Sequence, residues 1–409
     1  MRASTWNEPT AMPTIRLEEP ASPARAGPWH PFGLGFRPFF LLAALAGMML
    51  LTLWLWLRTR GFVAAEYYGS IGWHSHEMLF GYAVAVIAGF LLTAVRNWTG
   101  QPTLRGAPLA TLAALWVAGR IVPWVTVPAL FVAVVDLAFL PLLALSLVRP
   151  LWAGANPVNR VFVPLLLAMA AANALVHAEA LGWMSDGVPR GQDAMLVLVV
   201  LLLVLVGGRV IPFFTEKAVP GARPQRIRWV ETGSMVLLPL LALGHAAGMD
   251  GAATGPLLLA LGGLQATRLA AWHHRGIWRL PILWVLYSGY GWLVVGLLLA
   301  GAADVGVFPA TLATHALAVG AVGVLTLGMM ARVALGHTGR ALQTAPSVNL
   351  AFVMLNLAAA LRVCGPWLWP QHYARWIEAA GGLWVVAFGI LCVVYLPILM
   401  RPRADGRPD

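Results

Sequence analysis

Apolar stretches of about 17–25 residues, long enough to cross roughly 30 Å of hydrocarbon as helix, recur between residues 38 and 400 with short polar breaks between them. In order they run 38–57, 78–96, 107–122, 125–148, 161–182, 194–214, 230–249, 254–272, 280–301, 308–335, 346–365 and 376–400. The pattern predicts an all-α fold, a polytopic membrane helix bundle of about 12 transmembrane helices. Its least defined stretch is 107–148, where Arg120, Pro123 and Pro128 interrupt one long apolar region and a single hairpin decides the count. Residues 1–36 mix Pro, Glu and Arg and lack the apolar core of a secretory signal peptide. They read as a flexible leader, 37–400 as the transmembrane domain and 401–409 as a short basic tail.

Composition turns this pattern into an exclusion. The chain is 60% hydrophobic and 11% charged, whereas soluble domains average about 45–50% apolar and roughly 25% charged. It therefore lacks the polar surface that a water-soluble globule needs. The net charge of +11 suggests nucleic acid at first sight, but the basic residues sort by side. Twenty-one fall in the two termini and the loops on their side, including Arg96, Arg105, Lys217, Arg223, Arg275 and Arg340, and six fall in the opposite loops. That asymmetry predicts cytoplasmic termini and accounts for the charge without a nucleic-acid partner. Cys364 and Cys392 lie in apolar stretches with no CxxC or CxxCH spacing, so no disulfide framework or covalent haem attachment is indicated.

The scarce polar residues inside the spans carry the functional signal, because ionisable groups there are costly. Five histidines gather toward the predicted outer side: His74 and His76 at the start of the second span, His177, His245 and His315. His273, His274 and His337 fall on the inner side, with His30 in the leader and His372 in an outer loop. His315 and His337 are 22 residues apart, roughly 33 Å along one helix, so they cannot share a metal. Convergent imidazoles favour Cu, Fe or Zn over Mg or Ca. His74 and His76 point about 200° apart on a regular helix, and His74 shares its face with Gly81, Ala85 and Gly89, a small-residue row suited to close packing. His177 and His245, at helix ends near water, read first as ordinary interfacial histidines and only second, on depth alone, as additional ligands.

Glu77 either orients a ligating imidazole or carries protons, or it simply complements the dipole of its helix. Asp136 stands mid-span and needs a partner; it is a proton-relay candidate. Arg96, Arg209 and Arg332 sit near inner helix ends, where orientation preference explains them and a grip on an acidic group such as a haem propionate is the sharper reading. Aligning His76 with His315 also pairs Gly81 with Gly320 and Gly89 with Gly328. These helices are eight spans apart, so the echo reads as matched packing of two site-bearing helices and not as an inverted transporter repeat.

The run Trp73-His74-Ser75-His76-Glu77-Met78-Leu79-Phe80-Gly81, with Ala88-Gly89-Phe90-Leu91-Leu92-Thr93-Ala94 and Asn97-Trp98-Thr99-Gly100, resembles the NnrS family of bacterial multi-pass membrane proteins. Phe36-Arg37-Pro38-Phe39-Phe40, Gly207-Gly208-Arg209-Val210-Ile211-Pro212-Phe213-Phe214-Thr215, Thr314-His315-Ala316 and Arg332 through Arg340 extend the likeness. The resemblance implies an inner-membrane protein containing haem and copper, linked to nitric oxide and to resistance against nitrosative stress in denitrifying bacteria. Histidines in matching motifs are His74, His76, His315 and His337, with Arg209 as a polar companion; the expected metal site combines His74, His76 and His315. His337 serves a second site or caps the inner end of its helix. Without CxxCH the haem is expected to be a non-covalent haem b. Whether nitric oxide is substrate, ligand or only the stress stays open at this point. The alternative is a secondary transporter working through Asp136; a scaffold without chemistry is disfavoured by the clustered histidines.

Overall fold

The computed structural model describes residues 29–61, 67–249, 251–407 and 409. Most of the expected leader lies outside the described residues. Twelve helical rods occupy the twelve apolar stretches: α1 (Phe36–Arg60), α2 (Ser70–Thr99), α3 (Ala107–Trp124), α4 (Ala129–Ala153), α5 (Pro157–Ala180) and α6 (Gly187–Ala218), then α7 (Arg228–Ala246) and α8 (Gly255–Trp272). The last four are α9 (Pro281–Asp304), α10 (Ala310–His337), α11 (Pro346–Leu368) and α12 (Pro370–Met400). No strand occurs among the described residues.

Ten of these helices are long and apolar enough to cross a membrane; α7 and α8 are the two that fall short. They are less apolar because they carry Glu231, Gln265 and Arg268, which pair with one another and with their neighbours. The Nε–Nη2 edge of the Arg268 guanidinium donates to both oxygens of the Glu231 carboxylate, and Arg268 Nη1 donates to the Val204 carbonyl of α6 and the Tyr290 hydroxyl of α9. Tyr290 donates onward to Gln265 and Gln265 to Ser234. Because α7 and α8 are consecutive, counting ten or twelve spans leaves the two termini on the same side.

Neighbouring helices pack in chain order around most of the bundle, and α12 returns against α1. The doubtful stretch 107–148 is a true hairpin: Pro123 opens a short 3₁₀ turn at the end of α3 and Pro128 precedes the first turn of α4, where a missing N–H costs nothing. The centre is filled by α2, α10 and α6, whose apolar windows are 83%, 78% and 72% buried, against 33% for α12.

Helices α2 and α10 share a construction. Each starts as α-helix, passes through a π segment and resumes as α-helix: Ser70–His76, Glu77–Ala83 and Val84–Thr99 in α2, and Ala310–His315, Ala316–Gly323 and Val324–His337 in α10. In both, a histidine is the last residue before the π segment. The glycine echo in the sequence thus coincides with a repeated backbone irregularity of a kind frequent at functional sites.

Candidate metal centre

His76 ends the first turn block of α2 and points toward α4 and α5. There its Nε2 lies 3.2 Å from Asp136 Oδ2, and His177 Nε2 of α5 lies 3.0 Å from the same oxygen. Asn173, one turn before His177, donates to that oxygen at 2.7 Å and sets its own Oδ1 3.1 Å from His76 Nε2. The other carboxylate oxygen of Asp136 accepts from Arg120 Nη2 at the end of α3. Arg120 Nη1 also lies 3.3 Å from Glu77 Oε2, without hydrogen-bond alignment. His76, Glu77, Asp136, Asn173 and His177 are all buried.

Two glycines make room for this crowding. A Cβ on Gly81 would sit 2.8 Å from Arg120 Nη1 and 3.0 Å from Glu77 Oε2, and one on Gly119 would sit 2.8 Å from Asp136 Oδ1. Trp116 closes the floor by donating its indole N–H to the Gly81 carbonyl. Above, Tyr68 stacks on the His76 ring with centroids 4.3 Å apart. Tyr67 brings its hydroxyl 2.9 Å from His177 Nδ1. Burial, and then the Asp136 charge, push both tyrosine hydroxyls above their ordinary range, so they stay protonated; toward a His177 that ligates through Nε2, the Tyr67 oxygen is the acceptor of Nδ1–H.

Three features of the cluster fit a transition-metal ion. His76 Nε2, His177 Nε2 and Asp136 Oδ2 lie within 4.8 Å of one another, and their closest separations, 3.0 and 3.2 Å, match donors held at about 2.0–2.2 Å around one ion. Each imidazole has its far nitrogen next to an oxygen, Glu77 Oε1 for His76 and the Tyr67 hydroxyl for His177, the outer contacts that fix a ligating ring. With neutral imidazoles and ionised carboxylates, Glu77 and Asp136 outweigh Arg120 by one negative charge, which a bound cation offsets. The same contacts form a chain from Asp136 through His177 to partly exposed Tyr67.

The expected grouping of His74, His76 and His315 divides in two. His74, on the opposite face of α2, stacks on Trp54 of α1 with centroids 4.2 Å apart. It lies near enough to His315 for the two to interact, and both sense Arg362 of α11. His315 Nδ1 sits 2.6 Å from the Thr311 carbonyl, which makes Nδ1 the donor and leaves Nε2 as the free acceptor.

The remaining candidates lie elsewhere. His245, at the end of α7, interacts with Asp193 and joins neither group. His337 closes α10 at the far end, beside Asn97, in a polar pocket of about 250 Å³ with Arg96, Arg403 and Asp409. Arg209 donates to Asn159 at 2.6 Å and lies over the Trp98 and Phe162 rings. Asn159 and His177 are 18 residues apart on α5, roughly 27 Å, so Arg209 is remote from the cluster. Asp136 is nearer its helix end than the mid-span position read from 125–148, because α4 starts at Ala129.

Sequence reasoning overlooked Arg120, Asn173, Tyr67, Tyr68 and Arg362. Asn173 had a signal, four residues before His177 within an apolar span. Arg120 reads from the sequence as a break in an apolar run and a charge on the outer side, not as a partner of Asp136.

The family described as NnrS protein matches residues 30–403 of the chain. No curated protein matches it.

Proposed function

Since the chain belongs to the NnrS family, a group associated with nitric oxide and with haem and copper, we propose that it is a nitric-oxide-associated membrane protein holding copper at His76, His177 and Asp136. The observation that carries the reading is the convergence of two buried imidazole nitrogens and one buried carboxylate oxygen within 4.8 Å. Imidazole suits copper, and the surrounding negative charge favours a cation. The haem, in this reading, would be held by the other histidine group, His315 through its free Nε2 and His74, with Arg362 as the cation for an acidic group. The family match does not favour the transporter alternative.

Copper, when bound, supplies one-electron chemistry and a coordination position for a small ligand. The chain's residues do the rest. Glu77 and Tyr67 hold the two rings in register, and Arg120 and Asn173 hold Asp136. Tyr68, Phe80 and Trp116 exclude water around them. When no cation is bound, a proton on Asp136 Oδ2 has a route through His177 to the Tyr67 hydroxyl at the edge of the bundle. The protein acts in the bacterial inner membrane, with both termini cytoplasmic, in resistance to nitrosative stress.

Metal analysis and an optical spectrum of the detergent-purified protein test this. Copper is expected in the wild type and absent from His76→Ala and His177→Ala, while a Soret band survives in both and collapses in His315→Ala. Undiminished copper in both His76→Ala and His177→Ala sinks the assignment.

A further inference from the structure

The centre of the bundle holds a cavity of about 50 Å³ between α2, α6 and α10. From α2 it is lined by Ala83, Val86, Ile87 and Phe90, and from α10 by Val322, Leu325, Thr326 and Met329. Under the alignment of His76 with His315, these two sets are the same four positions: Ala83 and Val322 each lie seven residues after their histidine, and the other three pairs follow in step. The repeated α–π–α construction therefore builds the chamber from equivalent faces of two helices, with α6 closing the third side.

Its chemistry is uniform. Among the described lining residues Thr326 alone carries a side-chain nitrogen or oxygen, and its hydroxyl is already committed to the Val322 carbonyl at 2.6 Å and to Tyr82. A water needs about 10–15 Å³ and two to four polar partners; here there is space and no partner. The volume is far below what a porphyrin needs. Ala83, Val86, Ile87, Val322 and Leu325 are buried, whereas Phe90, Leu203, Val210 and Met329 are partly exposed, so the chamber's way out passes between apolar side chains on a flank of the bundle. Seven residues of helix place each histidine roughly 10 Å from the chamber.

The geometry points to a holding site for a small uncharged diatomic gas, taken up sideways from the hydrocarbon of the bilayer and kept about two helical turns further along α2 and α10 than His76 and His315. This rests on the nitric-oxide reading for the identity of the gas, and on the cavity alone for its chemical class. An apolar gas dissolves in lipid and meets no desolvation cost on entering a dry, apolar chamber; an anion or a water molecule does.

Xenon, which binds dry apolar cavities, is the probe. The full chain in lipid nanodiscs is titrated with xenon by ¹²⁹Xe NMR against empty nanodiscs, beside Val322→Phe, which fills the chamber, and Ile87→Ala, which enlarges it. Saturable uptake is expected in the wild type, weakened on the order of tenfold in Val322→Phe and increased in Ile87→Ala. Because Ile87→Ala must move in the opposite direction, loss of folding in Val322→Phe cannot imitate the result. Uptake equal in all three proteins, or no greater than that of empty nanodiscs, overturns the proposal and leaves the metal assignment standing. The expected order in preparations free of metal upholds the chamber while the metal reading fails.

Discussion

At Asp136 one oxygen accepts from Arg120 and the other faces Asn173, His177 and His76. Removing the charge of one partner leaves Arg120 buried without its main counterion, a loss that costs about 3–5 kcal/mol. Asp136→Asn is therefore expected to lower thermal stability and abolish metal binding together. The double variant Arg120→Met/Asp136→Leu separates the two effects, since apolar replacement of a buried pair is often close to neutral: stability should recover well above that of Asp136→Asn while metal stays absent. Thermal unfolding with metal analysis reads both quantities. At this scale the sequence was legible where angle alone decides. The 200° between His74 and His76 foretells that they serve different neighbours, and they do, Trp54 for one and Asp136 for the other. Arg120 was illegible because its partner lies across a turn, and a charge count by side treats a paired arginine like a solvated one.

Among the elements, the π segment of α2 sets the direction of His76 relative to everything after it. Deleting Leu79 from Glu77–Ala83 restores ordinary helix and turns His76 by about 100°, away from Asp136. The expected result is unchanged helical circular dichroism with metal lost. Gly81→Ala tests the same segment without changing its length: its Cβ would press on Arg120 Nη1 and Glu77 Oε2, and metal affinity should fall with only a modest loss of stability. Hydrophobic periodicity located all twelve helices but could not reveal either π segment, because a wider turn among uniformly apolar residues leaves no gap in the pattern. Only the spacing of Gly81 and Gly89 against Gly320 and Gly328 hinted that α2 and α10 are built alike. The hairpin at 107–148 was ambiguous for a related reason, two prolines standing in an apolar run that reads as either a kink or a turn.

For the whole molecule, the split of 21 basic residues against six makes an orientation prediction that is open to direct measurement. In a variant lacking Cys364 and Cys392, a single cysteine at Trp183, between α5 and α6, should react with an impermeant thiol reagent added to intact cells. One at Arg223, between α6 and α7, should react only after lysis. The reverse labelling sinks the assigned orientation. The paired polar residues of α7 and α8 explain why the hydropathy of that pair is low although both helices form where the pattern placed them.

The short turn between α3 and α4 also bears on how the protein is made. Arg120 and Asp136 are only 16 residues apart and belong to the two arms of one hairpin. Each alone costs about 2.5–3.5 kcal/mol at the middle of a helix entering the membrane. As the hairpin leaves the ribosome the two charges can meet before α5 exists, so the bilayer receives a neutralised pair and α3 need not enter by itself. Biogenesis then supplies a reason for the order of the chain: the counterion arrives with the carboxylate, and the second histidine is delivered afterwards, to a site already electrically prepared for it.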